Sequence, residues 1–552
     1  MVSETSVRIA TAQLVGNRSR YTTLSGFWML VWFIVRRNWL RMLVWLVVLA
    51  GMIPLVIDSQ RELFPTQAAR EAYAQVANTP AVAAMTGLPY AAATLGGILN
   101  IKLWMTEAVA LAFAVIFLVT RNGRAEEENG RTEFLRSTKL GRHAYSLANW
   151  AVFGAFSTVV GLACAALAIS QGLPPDGSLL MGASFAAVAL VFIGVAAIAG
   201  QLCQTSRAAN GLASIVVAIA YLIRATADVK AKNDQPLWIA WLSPIGWGQQ
   251  ARSFAENLWW PILLCLGVAI LLCIIALRLE SHRDLGAGML PARKGRKSFG
   301  AFGRTQLGLT LRLQRGPIIG WAIGILVFAA FFGGVATAMV DLLRGNTPVV
   351  GVFAGHSGNL LDGLLSYFVM TTAMIVAAFA LQVASAIGTE ESTGRIEIQL
   401  SGAISRIRWA ANRLIVPAVI SLILLALGGF VLGATFGSVT GIHGQDPKFA
   451  AYSTSFWPSV LLVIAVTMFL IAFIPRFASA LTWAFYGVVV LLSLLGNLFK
   501  LPSWLVENTP FTTVSKLNAN LNVAPLVVLS IIAIVLLTCG LLRFKMRDTK
   551  SA

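Results

Sequence analysis

Apolar residues in this chain gather into about twelve runs separated by short polar interruptions. In the first half they lie near 39–57, 99–120, 146–169, 178–200, 210–225 and 259–277. In the second half they lie near 317–339, 367–388, 414–436, 456–474, 480–498 and 524–542. About 20 helical residues cross the hydrocarbon of a bilayer, so each run predicts a membrane-spanning helix. The fifth and eleventh runs are followed by semi-apolar stretches with Trp and Pro, LWIAWLSPIGW at 237–247 and LPSWLVENTPF at 501–511. Two amphipathic stretches, GFWMLVWFIVRR at 26–37 and LGLTLRLQRG at 307–316, precede the first and seventh runs. Each predicts either a helix lying in the membrane interface or an extension of the span that follows.

The polar interruption after the second run recurs after the eighth. EEENGRTEFLRSTKLGR at 126–142 and EESTGRIEIQLSGAISR at 390–406 align with an offset of 264. They share Glu126/Glu390, Glu127/Glu391, Gly130/Gly394, Arg131/Arg395, Glu133/Glu397, Ser137/Ser401 and Arg142/Arg406. NTPAVAAMTG at 78–87 matches NTPVVGVFAG at 346–355, and Pro244 matches Pro510, at nearly the same offset. The chain therefore reads as two tandem halves of six spans, parallel in the membrane and related by a pseudo-two-fold axis along its normal. Residues 1–277 form the first half, 278–306 a basic linker and 307–552 the second half; the repeated knobs occupy loops 121–145 and 389–413. Glu126–Glu128 are placed at a helix start, where acids suit the dipole. Gly130 then breaks the chain before a short helix with Phe134 and Leu135 as its apolar positions. Ile396, Ile398 and Leu400 are their counterparts in the second knob.

Composition fixes the class. The chain is 57% hydrophobic and 12% charged, with mean hydropathy +0.76, whereas soluble domains are about a quarter charged. This is an all-α polytopic membrane protein. The net charge of +19 does not call for nucleic acid. Lys and Arg crowd the loops that include the knobs, which places those loops and both termini in the cytoplasm. The first twenty-odd residues are polar, so no cleavable leader is expected.

Candidate chemistry is sparse. No GxxxxGK[ST] occurs, and KGRKS at 294–298 lacks the glycines that wrap phosphate. The four histidines and five cysteines are scattered, without metal-ligand spacing. Within the second run lie Lys102 and Glu107, and a charge inside a span is usually functional. Glu107, whose repeat counterpart is Thr372, is a candidate to meet a polar or cationic substrate; the plainer reading is a structural hydrogen bond. Trp104, Tyr221, Tyr367, Phe368, Trp483 and Tyr486 are candidates to line an apolar pocket, though aromatics at helical spacing commonly pack or face lipid.

These features resemble the membrane subunit of ABC-2 type exporters, more narrowly the actinobacterial permeases described as tetronasin or polyketide-antibiotic exporters and linked with multidrug efflux. The two knobs carry the resemblance, with the amphipathic approaches and the Pro-containing stretches before the sixth and twelfth runs. It implies that 126–142 and 390–406 are coupling helices seated on ATPase subunits. The coupling residues would be Glu126, Glu127, Gly130, Arg131, Glu133, Leu135 and Arg142, with Glu390, Glu391, Gly394, Arg395, Glu397 and Arg406. It implies a fused pair of six-span subunits serving two copies of an ATPase, with ATP and magnesium on that partner and no cofactor or nucleotide on this chain. The cargo would be hydrophobic or amphipathic small molecules such as antibiotics, carried out across a bacterial plasma membrane by alternating access. The knobs differ at Arg136/Leu400, Lys139/Ala403 and Gly141/Ser405, so unequal docking is expected.

Two rivals remain open from the residues. An ion-coupled twelve-span secondary multidrug transporter should carry several ionisable residues within its spans. A membrane enzyme should gather carboxylates or histidines at one face, and the outer loops offer no recognisable spacing.

Overall fold

The computed structural model describes residues 24–78, 80–136, 140–231, 236–284, 286–290, 300, 303, 305–343, 360–392, 394–400, 404–495, 502–514, 517–518 and 522–547. Among them there are helices and turns and no strand, as expected where no water can satisfy an open backbone. Eleven described helical stretches are long and apolar enough to cross a membrane. A shorter apolar helix, Ala478–Leu495, falls in the eleventh run. The chain is an all-α multi-pass membrane protein. It divides into two compact units, Met1–Lys294 and Gly295–Ala552.

In the first unit α1 (Phe27–Leu63) is followed by two short helices, α2 (Gln67–Ala77) and α3 (Pro80–Thr86). The second run is α4 (Leu95–Leu99), one π-helical turn (Asn100–Trp104) and α5 (Met105–Asn122). The knob is α6 (Arg124–Glu128) and α7 (Arg131–Arg136). Then come α8 (Ala144–Ser170), α9 (Pro175–Leu202) and α10 (Ser206–Val229). A 3₁₀ turn (Trp238–Leu242) and α11 (Pro244–Gln249) lead to the closing span, α12 (Trp260–Ser281).

The most enclosed span is α9, which packs on α5, α8, α10 and α12. Its approach to α8 is set by glycine. A Cβ on Gly161 would lie 2.2 Å from the Gly182 carbonyl, and one on Gly182 would lie 2.1 Å from the Gly161 carbonyl. Small residues at such crossings let backbones meet in the absence of a hydrophobic drive between helices. Gly182→Leu is expected to force these spans apart and to cost about 1–3 kcal/mol. The check is the melting midpoint of the detergent-solubilised protein, which should fall by several degrees.

By contrast α1 rests mainly on α8, and its Trp28, Trp32, Val47 and Leu55 are exposed. The approach stretch is no separate element: α1 is one helix of 37 residues, about 55 Å at 1.5 Å per residue. That exceeds the roughly 30 Å hydrocarbon, and the surplus carries Trp28, Trp32 and Arg36 toward the headgroups. The same continuity holds for α13 below.

The second unit contains α13 (Gln306–Leu343), α14 (Leu360–Ser392), the knob helix α15 (Arg395–Leu400), α16 (Arg406–Thr440), α17 (Gln445–Thr454) and α18 (Trp457–Phe473). It ends with α19 (Ala478–Leu495), α20 (Ser503–Val506) and α21 (Val523–Met546). Its hub, α18, packs on α14 and α21, while α16 packs on α13 and α17. The repeat segment 346–355 lies outside the described residues, as do 291–299 of the linker.

Candidate functional site: a knob anchored by arginines in each unit

Both knobs turn on a glycine. Gly130 has φ +72° and Gly394 φ +70°, the left-handed region where a side chain is strained. Each glycine starts a six-residue helix, α7 or α15. The entrances differ. In the first unit Gly123 (φ −105°, ψ −92°) separates α5 from α6. In the second, α14 runs without a break from the membrane to Ser392, with Glu390 and Glu391 in its last turn. The helix-dipole expectation therefore fails for the second pair, since acids are disfavoured at a helix C-terminus. Arginines hold them instead.

The repeated acids sort into an inner and an outer set. Glu126 is buried and accepts from Arg37 at 2.9 Å and from the exposed Arg131 at 3.5 Å. Glu127 receives Arg283 as a two-pronged pair, Nη1–Oε1 2.8 Å and Nη2–Oε2 2.8 Å, with Arg124 at 2.9 Å and the Gly286 amide at 2.8 Å. In the second unit Glu390 pairs with Arg413 at 2.6 Å, and buried Glu391 pairs with Arg547. Glu133 and Glu397 form the outer set and are exposed. Both knobs therefore expose an acid three residues beyond the turning glycine and hold the two repeated acids before it with arginine. The side chains of Leu135, Arg136, Arg395 and Ile398 lie outside the description, as do Ser137, Lys139, Ser401 and Ala403 altogether; Ile396 is buried in its unit's core.

Arg142 and Arg406 each reach the backbone of their own unit. Arg142 donates to the Ser281 carbonyl and Arg406 to the Arg547 carbonyl, each at 2.7 Å. Both reach the backbone around the end of their unit's last span, α12 or α21.

Arg124, two residues before the first repeated acid, is the centre of the first knob. Its side chain is 1% exposed and donates to the carbonyls of Gln204, Gly286 and Ala287 at 2.7–3.0 Å. Glu128 accepts from the amide and hydroxyl of Ser206 at the start of α10, where an anion suits the dipole. Buried Asn38 of α1 donates to Asn122 of α5 at 2.9 Å. The knob is thus fastened to α1, α5, α10 and the segments after α9 and α12. Behind it is a cavity of about 50 Å³. Thr120 Oγ1, Thr132 Oγ1, Tyr145 Oη and Asn149 Oδ1 on its walls have no hydrogen-bond partner among the described residues.

The chain's relatives follow the same division into halves. Residues 59–259 match the family described as ABC-2 type transporter. Residues 304–545 match the C-terminal domain of multidrug efflux system permease Rv1217c. Over 554 residues the chain is 31% identical to the multidrug efflux system permease protein Rv1217c of Mycobacterium tuberculosis, covering 99% of this chain and 100% of that one. The chain belongs to the ABC-2 exporter permeases. Such a permease is a transport component set in a membrane, and its family implies an ATPase partner.

Within the permease the expected cavity aromatics are mostly packed in their own units. Trp104 is 2% exposed and donates to Ser184 at 2.7 Å. Phe368 is buried against Phe332, ring centroids 4.6 Å apart. Tyr486 is buried, donates to the Met374 carbonyl at 2.6 Å and touches the partly exposed Trp483. Tyr221 donates to the Met85 carbonyl at 3.1 Å. Glu107 is buried on α5, with no ion-pair partner among the described residues. Lys102, in the π-helical turn, lies 5.4 and 5.3 Å from the rings of Phe64 and Tyr73.

Proposed function

We propose that this permease exports hydrophobic or amphipathic small molecules, drugs among them, and that one ATPase subunit docks on each knob. ATP and magnesium belong to those subunits. The knobs face the cytoplasm of a bacterial cell and both termini lie on that side. Substrate is released outward as the two halves respond to closure of the ATPases. The M. tuberculosis relative, described as a multidrug efflux permease, supports the cargo class; the excess of Lys and Arg in the knob loops supports the orientation.

One observation carries the docking claim. The same chain builds the same exposed turn twice: a left-handed glycine, a short helix and an outward acid, Glu133 or Glu397, over a buried acid held by arginine. A solvated loop has no need of two matched copies.

The test is retention of the ATPase subunit on the purified permease. Glu133→Lys with Glu397→Lys is expected to weaken retention at least about tenfold, the effect of losing about 1.4 kcal/mol of charged contact. Each single change should act on one of two docking sites. If the double variant holds the ATPase as tightly as the parent chain, the docking reading is wrong.

A further inference from the structure

We propose that Arg283 and Arg547 are positioning residues: each binds its knob to the end of the unit's fourth span, so that knob and span end move as one piece. The inference rests on the docking reading above for its consequence, but not for its geometry.

The two arginines are equivalent. Both stand just past the closing span of their unit, after Ser281 of α12 and Met546 of α21. The Arg-Asp pairs 283–284 and 547–548 are separated by the same 264 residues as the knobs. Each arginine reaches the second knob acid, Arg283 to Glu127 and Arg547 to Glu391. Each also reaches the end of the unit's hub span: Arg283 Nε donates to Gln201 Oε1 at 2.8 Å, and Arg547 Nη1 donates to the Ile471 carbonyl at 3.0 Å. One guanidinium thus bridges three elements in each unit, a use that suits its rigid fork.

A lever needs such a bridge. In the first unit the covalent route from α5 into the knob passes through the break at Gly123. A push on the knob tip would otherwise bend the chain there. Beside the fastenings by Arg37, Arg124 and Glu128, the arginine ties the second knob acid directly to the ends of α9 and α12. In the second unit α14 enters its knob unbroken, so the bridge matters less. The proposal therefore predicts an order: loss of Arg283 is more damaging than loss of Arg547.

The experiment places spin labels on the full chain at Asn129, on the exposed knob turn, and at Gln204, exposed just past the end of α9. A second labelled pair, Asn129 with Arg278 on α12, serves as a cross-check. Distances are measured on the permease alone and with its ATPase in nucleotide-free and nucleotide-trapped states. The parent chain is expected to give one narrow distribution per pair, unchanged between states. Arg283→Gln should at least double the width and make it state-dependent; Arg283→Lys, which keeps charge without the fork, should fall between. Gln201→Ala removes only the bond to α9 and keeps the test open should Arg283→Gln fail to fold. It should broaden the Asn129–Gln204 distances. Unchanged widths in Arg283→Gln, or in Gln201→Ala where that variant stands in for it, overturn the proposal. Failure of the ATPase to bind the parent chain overturns the docking reading instead, and the widths on the isolated chain still decide the bridge.

Discussion

Replacing Arg224 with methionine is expected to loosen the part of the first unit where α10 meets α3. This arginine lies within the fifth predicted run, and its side chain is fully buried. It pairs with Asp228 one turn on at 3.1 Å and donates to the carbonyls of Ala83, Ala84 and Met85 at 2.8–3.3 Å. Those carbonyls lie in the last turn of α3, where helical partners run out; the Gly87 amide also donates to the Ala83 carbonyl at 3.0 Å. Gln249 also donates to Asp228 at 3.3 Å and fills the space beside Gly87, whose φ is +96°. Nearby, Tyr90 shares hydrogen bonds with Gln250; burial pushes its hydroxyl up to about 12, so it remains a donor at physiological pH. Without Arg224 the Asp228 carboxylate is left buried and unpaired, which costs about 3–5 kcal/mol. The apparent melting midpoint should fall by about 6–10 °C. Arg224→Met combined with Asp228→Leu should recover at least about half of that loss, because a buried pair exchanged for apolar groups is often close to neutral. A double variant no more stable than the single one would show that the arginine acts through α3 alone.

The positions that correspond to Arg224 and Asp228 are apolar in the second half. Positions 490 and 494, one repeat further on, hold Val490 and Leu494, both packed on the core of that unit.

The spans were legible because a run of about twenty apolar residues has one outcome in a bilayer. The knobs were legible because a repeat in a charge-poor chain stands out, and the glycine at its centre has the conformation a helix break requires. What each charged residue does was not legible from class alone. Arg283 and Arg547 read as ordinary cytoplasm-facing cations, although the Arg-Asp repeat at offset 264 was visible. Arg224 and Asp228 stand four residues apart, a helical pair, but the pattern names no third partner. The burial of the spans' aromatics was not legible for a different reason. Hydrophobic periodicity weakens in helices that are apolar all round, so it did not separate Trp104, inside the bundle, from Trp28, on its surface.

Charge reversal at the first knob is expected to separate anchoring from docking. Glu127→Lys would bring a third cation between Arg124 and Arg283, in a site where the three side chains are 8%, 1% and 6% exposed. The two-pronged pair is lost and like charges replace it, so the change should cost at least about 4 kcal/mol. The first unit should then accumulate poorly or melt well below the parent chain. Glu391→Lys faces a single arginine, Arg547, and α14 enters its knob unbroken; its loss should be smaller. Glu133→Lys changes an exposed residue and should alter stability by no more than about 0.5 kcal/mol. Fluorescence-detected size exclusion after heating measures all three on one scale. A Glu127→Lys protein that melts with the parent would remove the anchoring role assigned to the inner acids. If it melts early, loss of the ATPase from that variant is no evidence about docking, because its knob is already detached from α9 and α12. The interface is then read from Glu133 and Glu397, the repeated acids that the fold leaves free to meet a partner.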